Sequence, residues 1–292
     1  MNIRKYLLSS LYLPSRFLNF LKSLFKKRTR IRILLFHDVP VESHQKFKQI
    51  ISFLEKKWKF ISPQEFTDHL NGTKKLTGNN LLLSFDDGFY SNRLVAEEIL
   101  DPAGIKAIFF VVTDFVKTQK KEDQIKFIEN NLYPEFINDT LPKNYKAFRS
   151  LGLDDLKSLV EKGHTIGCHT ASHQDLSRIV DVDKMNHEVI NSADFLEKEL
   201  KQPIHHFSFS FGNVSFFSQL ALDVASKRFP YIYTGMRGDN ASSSNALAIR
   251  RDTISLDDNL MMIGSFLEGM ADYRYRDGFA TYERWVKKIN TN

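Results

Sequence analysis

Short apolar runs interleaved with helical stretches constrain this chain more than any other feature. Apolar segments at residues 32–36, 81–85, 106–113, 165–168, 206–211 and 231–234 alternate with helical periodicity at 47–58, 91–100, 153–162, 184–200 and 216–227. Runs of this kind, apolar at consecutive rather than alternate positions, are strands covered on both faces, and such strands belong to parallel sheets wrapped by helices. Recurrent βα units in this number predict a parallel barrel whose site lies at the C-terminal ends of the strands. At 292 residues and 42% hydrophobic content, one large α/β domain accounts for the chain, and no internal repeat is visible.

Two motifs sit at the ends of these strands. Ser84-Phe85-Asp86-Asp87-Gly88 follows Leu81-Leu82-Leu83, and His169-Thr170-Ala171-Ser172-His173 follows the run at 165–168. Adjacent residues of an extended segment face opposite ways, so of the two carboxylates one can bind a metal while the other handles a proton. The i, i+4 spacing of His169 and His173 predicts two imidazoles on one side of a helical turn. One Asp oxygen with two His nitrogens suits zinc with positions left open for water and substrate. Taken singly, Asp-Asp-Gly is an ordinary turn and His-x-x-x-His an ordinary helix face; their conjunction at strand ends carries the reading.

In chain order and local punctuation these motifs closely resemble those of the polysaccharide deacetylases, the NodB-homology group also called carbohydrate esterase family 4, over roughly residue 32 to the C-terminus. The resemblance implies a distorted (β/α)7 barrel and a metal-dependent hydrolase that removes N-acetyl groups from an amino sugar of a bacterial surface polysaccharide or its lipid-linked precursor. It implies Asp87, His169 and His173 as ligands of one divalent ion, with zinc expected, and Asp86 as general base. The family's third motif corresponds to Phe207-Ser208-Phe209-Ser210-Phe211-Gly212-Asn213, which has neither the usual Arg nor the Pro. Phe209, Phe211 and Gly212 are expected at the substrate, and Arg250 or Arg251 to replace the arginine, Arg250 being assigned to substrate. The family's late histidine motif has no counterpart after His206. Phe36-His37-Asp38-Val39 resembles an early motif of some exopolysaccharide deacetylases, which makes His37 the expected general acid. These departures leave open a non-catalytic carbohydrate-binding relic, or a hydrolase of another amide or ester.

The remaining histidines, His44, His69, His164, His187, His205 and His206, read as surface, capping or packing residues. Cys168, the one cysteine, excludes an internal disulfide and a cysteine zinc cluster. A polar segment at 117–150, carrying Pro134 and Pro142, interrupts the βα rhythm as an insertion on the site's side of the barrel, there either to shape substrate access or as a solvated excursion.

Charge divides unevenly. Nine of the 41 Lys and Arg fall in the first 32 residues, which contain no Asp or Glu, leaving 32 basic against 35 acidic residues beyond. A nucleic-acid surface is therefore not expected of the globular part. Within the arm at residues 1–30, Phe17, Leu18, Phe20, Leu21, Leu24 and Phe25 recur at helical spacing opposite Arg16, Lys22, Lys26 and Lys27, with Pro14 in a first turn. That pattern predicts an amphipathic basic helix suited to an anionic membrane surface, or one packed on the domain of residues 31–292. The expected location is cytoplasmic and peripherally membrane-associated, with export the alternative.

Overall fold

The computed structural model describes residues 9–17, 29–134, 144–240, 245–289 and 291. Among the described residues eight parallel strands form one sheet: β1 (Arg30–Phe36), β2 (Lys59–Phe60), β3 (Asn79–Phe85), β4 (Ala107–Val111), β5 (Thr165–Cys168), β6 (His206–Ser208), β7 (Tyr231–Tyr233) and β8 (Asp252–Thr253). Their order is β7-β6-β5-β4-β3-β1-β8, with β2 added beside β3. Side chains obey the period of two that strands impose. Ile31, Ile33, Leu82, Ile108, Phe110 and Tyr233 gather in one apolar cluster on the inner face. Leu34, Leu81, Leu83, Phe85 and Phe109 gather in the larger cluster that the helices cover.

A short segment after β7 closes the curve. Ile249 forms a parallel bridge with Tyr233, donating to the Ile232 carbonyl at 2.9 Å and accepting from the Thr234 amide at 2.8 Å. Immediately beyond it, β8 pairs with β1 at Leu34 and Leu35. One stretch thus touches both edges of the sheet, producing the distorted (β/α)7 barrel that the resemblance implies. Arg32, 1% exposed, fixes this seam by donating from Nε to Asp252 at 2.8 Å and from Nη1 to Asp272 at 2.8 Å. A buried pair of this kind adds little net stability, but a wrong register would strand its charges, so it selects one arrangement. Inside the barrel the fit is close: a Cβ on Gly167 would lie 2.5 Å from the Phe110 ring, so glycine here is what admits that ring.

Several expectations shift on the structure. β6 ends at Ser208 rather than at 211, because Phe211 and Gly212 adopt positive φ of 59° and 64° and turn the chain away. The helix expected over 184–200 is Val182–Asn186 and Ser192–Leu200 joined by a π turn at His187–Asn191. The helix Pro63–Leu70 was not anticipated although its signal is present: Ser62 and Glu65 form a reciprocal capping box and Pro63 opens the first turn. The helices Leu260–Leu267 and Arg276–Ile289 were likewise missed.

The described part of the basic arm is helical over residues 12–17. It docks on the domain through Tyr12, whose ring lies 6.0 Å from that of Phe53 and over Gly264, where a Cβ would meet the Tyr12 ring at 2.5 Å. Leu13 and Phe17 stay outside, 61% and 60% exposed. The rest of the expected amphipathic stripe, Leu18, Phe20, Leu21, Leu24 and Phe25, lies outside the described residues. Among the described residues no helix is long and apolar enough to cross a membrane.

Candidate active site

The two carboxylates part company because the backbone turns between them. Asp86 still belongs to the sheet, its amide donating to the Phe36 carbonyl at 2.9 Å, and its side chain points into the barrel like that of Ser84 two residues earlier. Asp87 and Gly88 then take φ of 73° and 85°, so the chain leaves β3 in a left-handed turn that carries the Asp87 carboxylate away from Asp86. Asp87 faces the end of β5 instead. Its Oδ1 lies 3.7 Å from His169 Nε2 and 3.6 Å from His173 Nε2.

The histidine loop is not helical, contrary to the i, i+4 reading. His169 continues from β5, its amide donating to the Val111 carbonyl at 3.0 Å. Thr170 and His173 adopt positive φ of 67° and 59°, and a hydrogen bond from the His173 amide to Thr170 Oγ1, 3.0 Å, closes the turn. The two rings still meet, with centroids 5.1 Å apart, because the tight turn replaces the helix in bringing them together.

Both imidazoles are fixed in one tautomer by partners that can only accept. His169 Nδ1 donates to the Ser208 carbonyl at 2.8 Å and His173 Nδ1 to the Asn131 carbonyl at 2.9 Å. In the neutral rings each Nε2 is therefore an acceptor, that of His173 beside Asp87 and that of His169 between Asp87 and Asp86. Burial lowers the His173 pKa to about 4, against the opposing pull of Asp87, so the ring is neutral at pH 7. Asp87 Oδ1, meanwhile, is buried without a hydrogen-bond partner. Ligand atoms of these three buried residues lie within 4.8 Å of one another, and none is hydrogen-bonded to another. Tetrahedral zinc with ligand distances of ~2.1 Å separates its ligands by roughly 3.4 Å, so the Asp87, His169 and His173 set fits a divalent cation.

Asp86 is held by different chemistry. Arg251, fully buried, donates to both its oxygens at 2.7 and 2.8 Å, to Ser208 Oγ at 2.5 Å and to the Thr234 carbonyl at 3.0 Å, its guanidinium 4.9 Å from the Phe110 centroid. Burial alone pushes the Asp86 carboxyl up; the charge of Arg251, and after it His169, reverses that and leaves the group below the usual carboxylate range. Asp86 is thus ionised and oriented, with Oδ2 3.6 Å from His169 Nε2.

These groups open into one cleft of about 650 Å³, whose wall includes His37, Asp86, Asp87, His173, Phe211 and Arg251. Of the expected substrate residues, Phe211 and Gly212 line it, Phe211 with its ring centroid 4.5 Å from that of His173. Phe209 does not: it is wholly buried and stacks on Phe217 at 4.0 Å. Arg250 also lies elsewhere, its guanidinium 3.9 Å over the Phe279 ring and its backbone paired with Asn240. The neighbouring Arg251 is the arginine of the site, and being fully buried it is not a surface ion pair. His37 is pinned from behind by Asn92 Nδ2, which donates to its carbonyl at 2.9 Å, while the next residue, Asp38, accepts from Ser91 Oγ at 2.6 Å. The insertion is part of the site as well, since Leu132, Tyr133 and Phe148 line the cleft and Asn131 holds His173. His164 and His206, without partners in the sequence reading, are buried, with pKa values lowered by burial to about 4 and about 3; His164 accepts from the Ala107 amide and His206 pairs with the Tyr233 hydroxyl.

A parallel α/β barrel with an Asp-His-His cluster and a separate Arg-bound carboxylate at its C-terminal rim defines a hydrolase-type centre. The polysaccharide deacetylase profile matches residues 73–228, more than half of the chain, and the chain belongs to that family. A search of curated proteins by sequence gives no match. Among solved structures, the fold is similar to that of IcaB from Ammonifex degensii, with TM-score 0.65 and 19% identity over 82% of this chain and 97% of that one. It is similar also to the Streptococcus pyogenes deacetylase PplD in complex with acetate, with TM-score 0.63 and 19% identity over 82% and 99% of the two chains. A de-N-acetylase from Aggregatibacter actinomycetemcomitans gives TM-score 0.62 and 17% identity over 81% and 99%.

Replacing Arg251 by Met leaves a buried carboxylate without its partner. The expected cost at pH 7 is about 3–5 kcal/mol in chemical unfolding. The difference from wild type should shrink as pH falls through the carboxylate range, because the unpartnered, buried Asp86 of the variant takes up a proton first, while Arg251 keeps that of the wild type ionised to lower pH. An unchanged unfolding midpoint at pH 7 would contradict the role given to this pair.

Proposed function

We propose that this protein hydrolyses N-acetyl groups of an amino sugar in a bacterial surface glycan or its lipid-linked precursor. The observation that carries the reading is the separation of Asp86, bound bidentately by Arg251, from the Asp87, His169 and His173 set within one cleft. That set would hold a divalent ion, zinc by its ligand chemistry, which when bound supplies Lewis acidity toward a carbonyl oxygen and lowers the pKa of water. Asp86, ionised and fixed by Arg251, takes a proton from the water whose oxygen adds to the acetyl carbon. As the C–N bond breaks, His37 gives a proton to the departing amine nitrogen, and acetate and the free amino sugar leave. Arg251 orients the base, and Phe211 with Gly212 forms the wall against which the sugar rests. The similar PplD structure is described as a deacetylase in complex with acetate, the product that this reaction releases.

Acetate release should be assayed on N-acetylhexosamine oligomers and polyprenyl-linked N-acetyl sugars. Asp86→Asn is expected to abolish turnover, and His37→Ala to lower kcat by roughly two to four orders of magnitude. Binding of the glycans without release of acetate by the wild type would overturn the enzymatic reading.

We further propose that the basic arm rests on an anionic membrane surface, as a lipid-linked substrate would require. Support comes from nine basic and no acidic residues in the first 32 and from the outward Leu13 and Phe17 beside the docked Tyr12. Leu13→Ser with Phe17→Ser, which spares Tyr12, should reduce sedimentation with phosphatidylglycerol vesicles and leave acetate release from a soluble oligomer intact. Equal sedimentation of both proteins would count against the membrane role.

A further inference from the structure

Two of the three π turns among the described residues, Ile128–Leu132 and His187–Asn191, each aim one residue at the loop that carries His169 and His173. From one side Glu188, 4% exposed, spends its whole carboxylate on this loop: Oε2 accepts from the amides of Ala171 and Ser172 at 3.2 and 2.9 Å, and Oε1 from Ser172 Oγ at 2.6 Å. From the other side Asn131 donates from Nδ2 to the Ser172 carbonyl at 2.8 Å while its own carbonyl accepts from His173 Nδ1 at 2.9 Å. The amide and the carbonyl of Ser172 are thus both taken, by different elements.

The loop needs such restraint. Thr170 and His173 are non-glycine residues at positive φ, each a conformation costing on the order of 1 kcal/mol or more, which persists only where the surroundings over-determine it. Relaxation of either toward negative φ would swing His173 Nε2 away from Asp87. Glu188 and Asn131 both lie within π turns, single-turn interruptions of a helix that are frequent at functional sites.

We infer that Glu188 and Asn131 are positioning residues that hold His173 in ligating geometry, and that they set the affinity of the site for a divalent cation without touching it. The inference rests on the reading of Asp87, His169 and His173 as cation ligands. Partners of this indirect kind are worth about 10–100-fold in metal affinity.

The test is Zn²⁺ affinity by chelator competition, together with the visible spectrum of the Co²⁺-loaded protein, for wild type, Glu188→Ala, Glu188→Gln and Asn131→Ala; the thermal midpoint of each EDTA-treated protein reports folding. Glu188→Ala should bind Zn²⁺ about 10–100-fold more weakly and show altered Co²⁺ bands. Glu188→Gln should restore most of the affinity, since its amide oxygen can accept from the two backbone amides and its nitrogen donate to Ser172 Oγ. Asn131→Ala should weaken binding in the same direction. Should Glu188→Ala fail to fold, Asn131→Ala, at a partly exposed position, decides the matter. Zn²⁺ affinity and Co²⁺ bands equal to wild type in folded variants would overturn the positioning role and leave the metal site standing. A wild type that binds neither ion would overturn the metal site and this inference with it.

Discussion

The pairing of Arg251 with Asp86 is the interaction on which the rest of the site depends. Two adjacent aspartates beside two imidazoles could all converge on one cation. What prevents it is a buried guanidinium that claims both oxygens of Asp86 and, through Ser208 Oγ and the Thr234 carbonyl, is itself locked in place. Arg251 can do this because it lies between Ile249, bridged to β7, and Asp252, paired with β1. Closing the barrel and orienting the carboxylate are therefore one structural event. The Arg32 to Asp252 pair makes the closing segment settle in a single register, and so transmits the fold's precision to Asp86.

Strain and restraint divide along the same line. Asp87, Thr170, His173 and Phe211 all stand at positive φ; Asp87, His173 and Phe211 line the cleft, and Thr170 closes the loop behind it. None is a glycine. Such backbone is stable only because its neighbours supply many hydrogen bonds, and around Ser172 those come from an insertion and from a helix interrupted by a π turn. The described part of the insertion is thus structural to the site.

Much of this was legible in the sequence because strands covered on both faces leave an unmistakable apolar run, and because strand ends are where α/β folds place their polar groups. The Asp-Asp-Gly and His-x-x-x-His motifs were readable from their conjunction at strand ends, and the resemblance to the polysaccharide deacetylases divided the roles between them. What local pattern could not supply was long-range pairing. Arg251 stands 165 residues from Asp86, and nothing around it distinguishes it from Arg250 except the parity of a short strand that is too brief to show periodicity. The histidine spacing predicted a helical turn because i, i+4 is the helical neighbour distance; a left-handed turn closed by Thr170 achieves the same approach. Phe209 and Phe211 looked alike because a strand through residue 211 would place them on one face. With β6 ending at Ser208 and Phe211 at positive φ, alternation breaks, sending Phe209 into the core and Phe211 to the cleft.

The proposed division of labour between neighbouring carboxylates gives Asp87 to a cation and Asp86 to a proton. Zn²⁺ titration of Asp86→Asn and Asp87→Asn side by side tests it most directly. The account predicts that Asp86→Asn binds one ion about as tightly as wild type, whereas Asp87→Asn loses binding by orders of magnitude. Equal loss in both variants would show the two carboxylates acting together on the ion, and would contradict the account.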